Sequence, residues 1–163
     1  MDILNFELTT IQENAFIYET HLKNVNRRRD LWTVAVKDKI RATLESVQKN
    51  FKKIDWEIQV QDEKKNLETV MMKIKDMPSG ISEAASDGKT RQFIKIGAEL
   101  GFSQMISGKI NVWFEYPYWE NLQISRQLRK HMVTIEPSYV TEGLIAGFVH
   151  QFIADITNYE SGV

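Results

Sequence analysis

Apolar residues near the start of the chain recur alternately three and four positions apart, at Leu8, Ile11, Ala15, Tyr18, Leu22 and Val25. This spacing places them along one face of an α-helix. A second series extends the pattern through Trp32, Val36, Ile40, Leu44, Val47 and Phe51. The two series predict helical structure over residues 9–52. Thr10 and Glu13 have the spacing of a capping box, so we expect the helix to begin near Thr9 or Thr10.

The length of this helical region leaves two interpretations open. One unbroken helix would be about 60 Å long at 1.5 Å per residue, whereas a compact domain of this size has a radius of gyration of about 15 Å. Such a rod would protrude or pair with a second copy. The alternative is a break near Asn24–Asn26, where asparagines are poor helix formers and Asp30 could cap a restart.

Later segments alternate apolar and polar residues, as half-buried strands do. The alternation predicts four strands, over about 55–61, 67–75, 92–105 and 109–118. Residues 76–91 are rich in Gly and Ser, and we interpret them as a mobile or functional loop. A broad apolar face from Leu144 to Ile156 predicts a helix over about 138–159, after a helix-start signal at Pro137.

The order of these elements predicts an α+β fold. It consists of a mostly antiparallel four-stranded sheet, a long N-terminal helical region, straight or kinked, and a C-terminal helix packed on one face. At 163 residues the chain fits a single domain, 1–163. Its content of 42% hydrophobic and 26% charged residues is typical of a globular protein.

The segment from Gly108 to Glu120 carries bulky side chains on both faces of a predicted strand. A three-residue turn at 106–108, with Gly108 in the left-handed conformation of a G1 bulge, would pair Phe102 with Val112. That register turns both apolar strand faces of the hairpin toward one core. A two-residue turn would point them in opposite directions.

Because side chains alternate between the two faces of a strand, the opposite face of this hairpin carries five side chains that we take as the candidate site: Lys95, Glu99, Trp113, Glu115 and Trp119. An indole lying across Gly101 would account for Trp113, since large rings often protect strand glycines. It would not account for Trp119. Nor would it account for Glu99 directly opposite Glu115, because like charges in that arrangement destabilise a sheet.

Three interpretations of this face follow. A partner subunit would cover the aromatic side chains, which supply much interface energy. Alternatively, a sugar-like or aromatic small molecule would stack on Trp113 and Trp119, with Glu99 and Glu115 as polar anchors. A catalytic carboxylate pair of the glycosidase kind is the third, although the chain is short for a sugar-cleaving cleft. The sequence favours a non-enzymatic, homodimeric interaction module, with small-molecule binding as the alternative.

Composition and charge indicate which other partners, cofactors and cellular locations we do not expect. A net charge of -1 gives no long-range attraction for nucleic acid, so we do not expect that partner. The absence of cysteine excludes disulfides and thiolate chemistry and suits a reducing compartment. The first residues, "MDILNFELTT", lack a basic region followed by an apolar run of signal-peptide length, and no segment approaches the roughly 18 apolar residues of a membrane span, so we expect a cytoplasmic protein with no membrane contact. The histidines are far apart and "DGKT" at 87–90 lacks the first P-loop glycine, so neither a metal nor a cofactor is predicted.

Overall fold

A computed structural model describes residues 2–122 and 128–163. The helices are α1 (Ile3–Leu31), α2 (Lys37–Asn50) and α3 (Glu142–Ser161), with a π-helical segment at Trp32–Val36 and a 3-10 turn at Pro137–Tyr139. The strands are β1 (Trp56–Gln61), β2 (Thr69–Ile74), β3 (Met77–Ala84), β4 (Thr90–Ile96), β5 (Glu99–Gln104), β6 (Ile110–Glu115), β7 (Tyr118–Trp119) and β8 (Arg129–Ile135).

The α+β class is confirmed, with one more strand in the main sheet than expected. The main sheet has five strands in the order β1-β2-β5-β6-β8, and a second sheet has the order β3-β4-β7. Each strand pairs antiparallel with its neighbours. Helices α2 and α3 pack together over one face of the main sheet, so the protein has a helix layer and a sheet layer around a shared core.

The N-terminal helical region is continuous from α1 through the π-helical segment into α2, so there is no break near Asn24–Asn26. The irregularity lies where the apolar spacing becomes four residues throughout, at Trp32, Val36, Ile40 and Leu44. Such spacing would drift around a regular helix of 3.6 residues per turn. The wider π turn absorbs the excess and keeps these four buried side chains directed at the sheet.

The beginning of α1 differs from the capping-box expectation, which was wrong. The helix begins at Ile3, where the Asp2 carboxylate accepts a hydrogen bond of 3.1 Å from the backbone N–H of Leu4. The hydroxyls of Thr9 and Thr10 instead donate to carbonyl oxygens four residues earlier, at 3.0 and 3.1 Å. They are therefore interior residues of α1.

The predicted strand over 92–105 is split into β4 and β5. At the split, a Cβ on Gly97 would overlap the carbonyl oxygen of Ile74 at the end of β2. The backbone N–H of Gly97 donates to the Asp76 carboxylate at 3.0 Å. This close approach, open only to glycine, lets β5 stay in the main sheet while β4 enters the second one. The partner strand over 109–118 is likewise split, into β6 and β7.

Residues 76–91, which we expected to be a loop, instead form β3, a short turn and the beginning of β4. Gly88 has φ of +78° in the turn, and Ser82 faces Gln92 across the hairpin. The helix expected over 138–159 begins at Glu142, after the 3-10 turn. The first half of the segment between β7 and Pro137 lies mostly outside the described residues.

The turn at 106–108 is as predicted, because Gly108 has φ of +81° and Phe102 faces Val112. The apolar faces of β2, β5 and β6 consequently lie in one core with the buried sides of α2 and α3. Across the layers, Phe102 contacts Phe148 and Phe114 contacts Phe152, with ring centroids 6.1 and 5.4 Å apart. Among the helices described, none has the length and apolar character needed to cross a membrane.

Candidate functional site

The opposed carboxylates of the reverse face belong to a longer row of charges. The strand registers align Glu57, Lys73, Glu99, Glu115 and Arg129 across the main sheet. Each carboxylate of the central pair therefore has a cation on its outer side. Arg129 Nη2 lies 2.8 Å from Glu115 Oε2, and Lys73 Nζ lies 4.0 Å from Glu99 Oε1. These cations offset the repulsion that the facing carboxylates would otherwise suffer.

Burial raises the pKa of Glu99 above its ordinary value, and the negative charge of Glu115 raises it further. Lys73 and Arg129 act in the opposite direction but do not cancel the rise. The folded protein therefore holds a proton on Glu99 more tightly than the unfolded chain does. A raised carboxyl pKa fits general-acid chemistry, but the two cations already engage the pair.

The indole of Trp113 is covered within the chain and only 2% exposed. Its ring lies across Gly101, where a Cβ would overlap it, and its N–H donates to Ser103 Oγ at 2.9 Å. On its other side, the Arg129 guanidinium lies 3.7 Å from the ring centroid in a cation–π contact. A ligand or partner would have to displace Arg129 to stack on this indole.

The remaining two candidate residues lie in the second sheet. Lys95 on β4 faces Trp119 on β7, and its ammonium is 5.6 Å from a Trp119 ring centroid. The same ammonium forms an ion pair of 2.6 Å with Glu160 of α3. The structure thus brings Glu99, Trp113 and Glu115 together and places Lys95 beside Trp119. That these residues bind a ligand or a partner stays a prediction.

A different surface stands out on α1, where the N-terminal two thirds carry a series of exposed large apolar side chains. They include the predicted series without Val25, which is buried, and extend it backward by one residue: Leu4, Leu8, Ile11, Tyr18 and Leu22, with Ala15 between them. We call these six residues the α1 stripe. The first buried residue of the helix is Val25. The sequence contained this signal, but its periodicity alone does not show that the stripe extends past the domain's own core.

Helix α1 leaves the body of the domain at the turn between β5 and β6. The Cα of Gly108 is so close to the helix that an added Cβ would lie 2.7 Å from Arg28 Cβ. Arg28 holds Glu136 through two hydrogen bonds of 2.8 and 2.9 Å, and Arg29 donates to the Ile106 carbonyl at 2.9 Å. These contacts fix the direction in which residues 3–24 project.

A cleft of about 530 Å³ lies between α1 and this turn, and we call it the turn cleft. It is lined by His21, Leu22, Val25, Asn26, Arg29, Ile106 and Ser107. Ile106 is 78% exposed despite its apolar side chain. Arg29 Nε is buried without a hydrogen-bond partner among the described residues, which is unusual for a charged group.

A second concave surface lies between α2 and α3 and has a volume of about 720 Å³. Its floor is apolar, formed by Val47, Phe51, Ile54, Trp56, Ala146, Val149, Ile153 and Ala154, and no acidic residue lines it. Lys52 and Lys53 are at its rim. In the part of the chain that the structure describes, neither ammonium is within 4.0 Å of a carboxylate. We call this surface the α2–α3 groove.

No protein-family model, curated protein or solved structure matches this chain.

Proposed function

We propose that this chain is a non-enzymatic protein-interaction module that forms a homodimer through α1. The observation that carries this proposal is the exposed α1 stripe, whose members recur alternately four and three residues apart. This is the heptad spacing with which helices pack side chain into hole in coiled coils. Monomeric proteins seldom leave a contiguous apolar surface of this kind in water.

The stripe differs from an ordinary amphipathic helix because its own domain does not cover it. Residues 3–24 extend roughly 33 Å at 1.5 Å per residue, while the contacts with the rest of the chain begin at Val25 and Arg28. A second α1 helix supplies a matching stripe of the same length. The lack of cysteine is consistent with placing this dimer in the reducing cytoplasm.

Light scattering of the full chain at micromolar concentration tests the proposal. The expected mass is twice the 19.0 kDa of one chain, with dissociation on dilution. A single-chain mass throughout the micromolar range would refute homodimer formation. A Trp119→Ala variant separates this interface from the sheet face, because its dimer should be as stable as that of the unmodified chain. Weakening by that change would favour the originally predicted sheet surface.

Small-molecule binding is the second candidate, and the α2–α3 groove favours it more than the covered Trp113 indole does. A volume of about 720 Å³ is within the range of ligand pockets. An apolar floor with two lysines at the rim suits an amphiphile that has an anionic head, such as a long-chain carboxylate. The head would meet Lys52 and Lys53, and the tail would lie against Ile54 and Trp56.

Tryptophan fluorescence tests this second candidate, since Trp56 lines the groove. Titration with a long-chain fatty acid should change the emission, and a Lys52→Gln, Lys53→Gln variant should bind it more weakly. A Lys49→Gln, Lys64→Gln variant removes the same charge from exposed positions outside the groove and serves as the control. Equal affinity of both variants would remove the role of the rim lysines.

A further inference from the structure

We propose that the two α1 helices of the dimer lie antiparallel, so that the beginning of each helix docks at the turn cleft of the other copy. The alignment places Leu4 beside the partner's Leu22, Leu8 beside the partner's Tyr18, and Ile11 beside the partner's Ala15. This inference rests on the proposed homodimer. It adds the orientation and the register of its helices.

Side-chain size favours this alignment over a parallel one. In heptad terms, Leu8, Ala15 and Leu22 occupy one core position and Leu4, Ile11 and Tyr18 occupy the other. An antiparallel pair mixes the two positions in each layer, so the small Ala15 meets the larger Ile11, and Tyr18 meets Leu8. A parallel pair would place Ala15 beside Ala15 and Tyr18 beside Tyr18. One layer would then be underfilled and the next crowded, which close-packed interfaces avoid.

The turn between β5 and β6 also selects the orientation. It contacts α1 from Val25 to Arg29, on the side that carries the stripe, because Leu22, Val25 and Ile106 line one cleft. A parallel partner helix following the stripe would continue past Val25 and collide with this turn. The first residue of an antiparallel partner helix, Ile3, lies beside Lys23. That helix therefore does not extend past Val25 and does not collide with the turn.

The distribution of charged side chains along α1 also disfavours a parallel pair. Residues 2–13 contain three acidic and no basic side chains, whereas residues 21–29 contain four basic and no acidic ones. Antiparallel pairing opposes the two helix dipoles and places the partner's Asp2 beside Asn24, next to Lys23, while Glu7 lies beside the partner's Glu19. Parallel pairing would align like charge with like charge at both ends.

The turn cleft has the groups that such a helix beginning requires. Its exposed Ile106 and Leu22 would be covered by the partner's Ile3 and Leu4, which are themselves exposed. One docking event would thus cover apolar surface on both copies.

Disulfide cross-linking tests the orientation directly, since the chain has no cysteine of its own. In the proposed dimer, a mixture of Leu4→Cys and Leu22→Cys chains forms a cross-linked dimer, while neither variant forms one alone. Two Leu4→Cys positions would be roughly 27 Å apart along the axis, far beyond the Cα separation of about 4.4–6.8 Å that a disulfide spans. Cross-linking of each variant with itself, without a disulfide between the two different variants, would establish a parallel pair and overturn the proposal.

Spin labels at two outward positions provide a second measurement that leaves the stripe intact. Glu13 is near the middle of the proposed overlap and Thr20 is away from it, and both are exposed. In the antiparallel dimer, two labels on Glu13→Cys lie at the same height along the helix axis, whereas two labels on Thr20→Cys are offset by roughly 21 Å along it. The distance between the Glu13→Cys labels should therefore be the shorter one. Equal distances would overturn the orientation while leaving the dimer. A monomeric chain would overturn the proposed function and, with it, this inference.

Discussion

The replacement Ile11→Ala is the sharpest test of the α1 stripe as a dimer interface. Ile11 lies near the middle of the stripe and is 60% exposed in the single chain. It does not belong to the hydrophobic core, and alanine is a better helix former than isoleucine. The substitution should therefore leave the free energy of unfolding of the monomer unchanged or slightly raised, while weakening dimer formation.

The expected magnitude follows from the area that the dimer would cover. Full burial of an isoleucine side chain contributes about 1.5–3 kcal/mol, so covering the exposed 60% of Ile11 contributes on the order of 1–2 kcal/mol. Each dimer contains two such side chains. Because alanine keeps the Cβ and a Kd changes tenfold per 1.4 kcal/mol, we expect the dimer Kd to rise on the order of 20- to 200-fold.

Sedimentation velocity over a range of concentrations measures this Kd, and Phe16→Ala is the matched control. Phe16 is 71% exposed on the same helix, but it lies about 140° around the axis from Ile11. Its replacement removes as much exposed apolar surface without touching the stripe, and should leave the dimer Kd unchanged. If both variants weaken the dimer equally, the stripe has no special role and the reasoning fails.

Three further predictions concern the sheet face and α3. Gly101→Ala should lower the free energy of unfolding by roughly 1–3 kcal/mol in urea denaturation, because its Cβ would overlap the Trp113 indole; no change would mean that the indole moves away freely. Gly147→Ala, where a Cβ meets no atom within 4 Å, should instead raise it by about 0.5–1 kcal/mol through helix propensity, and a decrease would contradict the open space there. Because the pKa of Glu99 is raised in the folded state, its protonated form stabilises the protein below about pH 4.5, and this contribution falls as the pH rises through the folded pKa. Glu99→Gln should therefore be more stable than the unmodified chain at pH 7, with a difference that shrinks in acid. Lower stability at pH 7 would show that the Lys73 ion pair outweighs burial.

The parts of the fold that depend on local rules were predictable from the sequence. A glycine able to adopt positive φ and two alternating apolar faces were enough to set the turn at 106–108 and the pairing of Phe102 with Val112. The same parity aligned Glu99 with Glu115 and Gly101 with Trp113. Each of these inferences uses residues that are neighbours along one hairpin, where the chain itself limits the alternatives.

Features that depend on distant contacts were not predictable in the same way. The division of a long strand at Gly97 arises because the backbone there presses against Ile74, more than twenty residues earlier in the chain. Residues 76–91 have the composition of a loop but form an edge hairpin, a position in which Pro78 is tolerated because an edge strand leaves half of its backbone groups unpaired. Arg129 covers Trp113 and offsets the charge of Glu115. It lies on β8, a strand that the alternation of apolar and polar residues in the sequence did not distinguish from the neighbouring segments.

The stripe on α1 shows why periodicity alone does not identify the partner of a helix face. The helical region from Ile3 to Asn50 is roughly 72 Å long at 1.5 Å per residue, whereas a five-stranded sheet is about 20 Å wide at 4.8 Å per strand spacing. Only part of such a helix can face its own sheet. Arg29 marks the boundary, since it interrupts the apolar series and donates to the Ile106 carbonyl where the helix leaves the domain. The buried apolar residues after Arg29 belong to the core, and those before Val25 form the exposed surface that we propose a second copy covers.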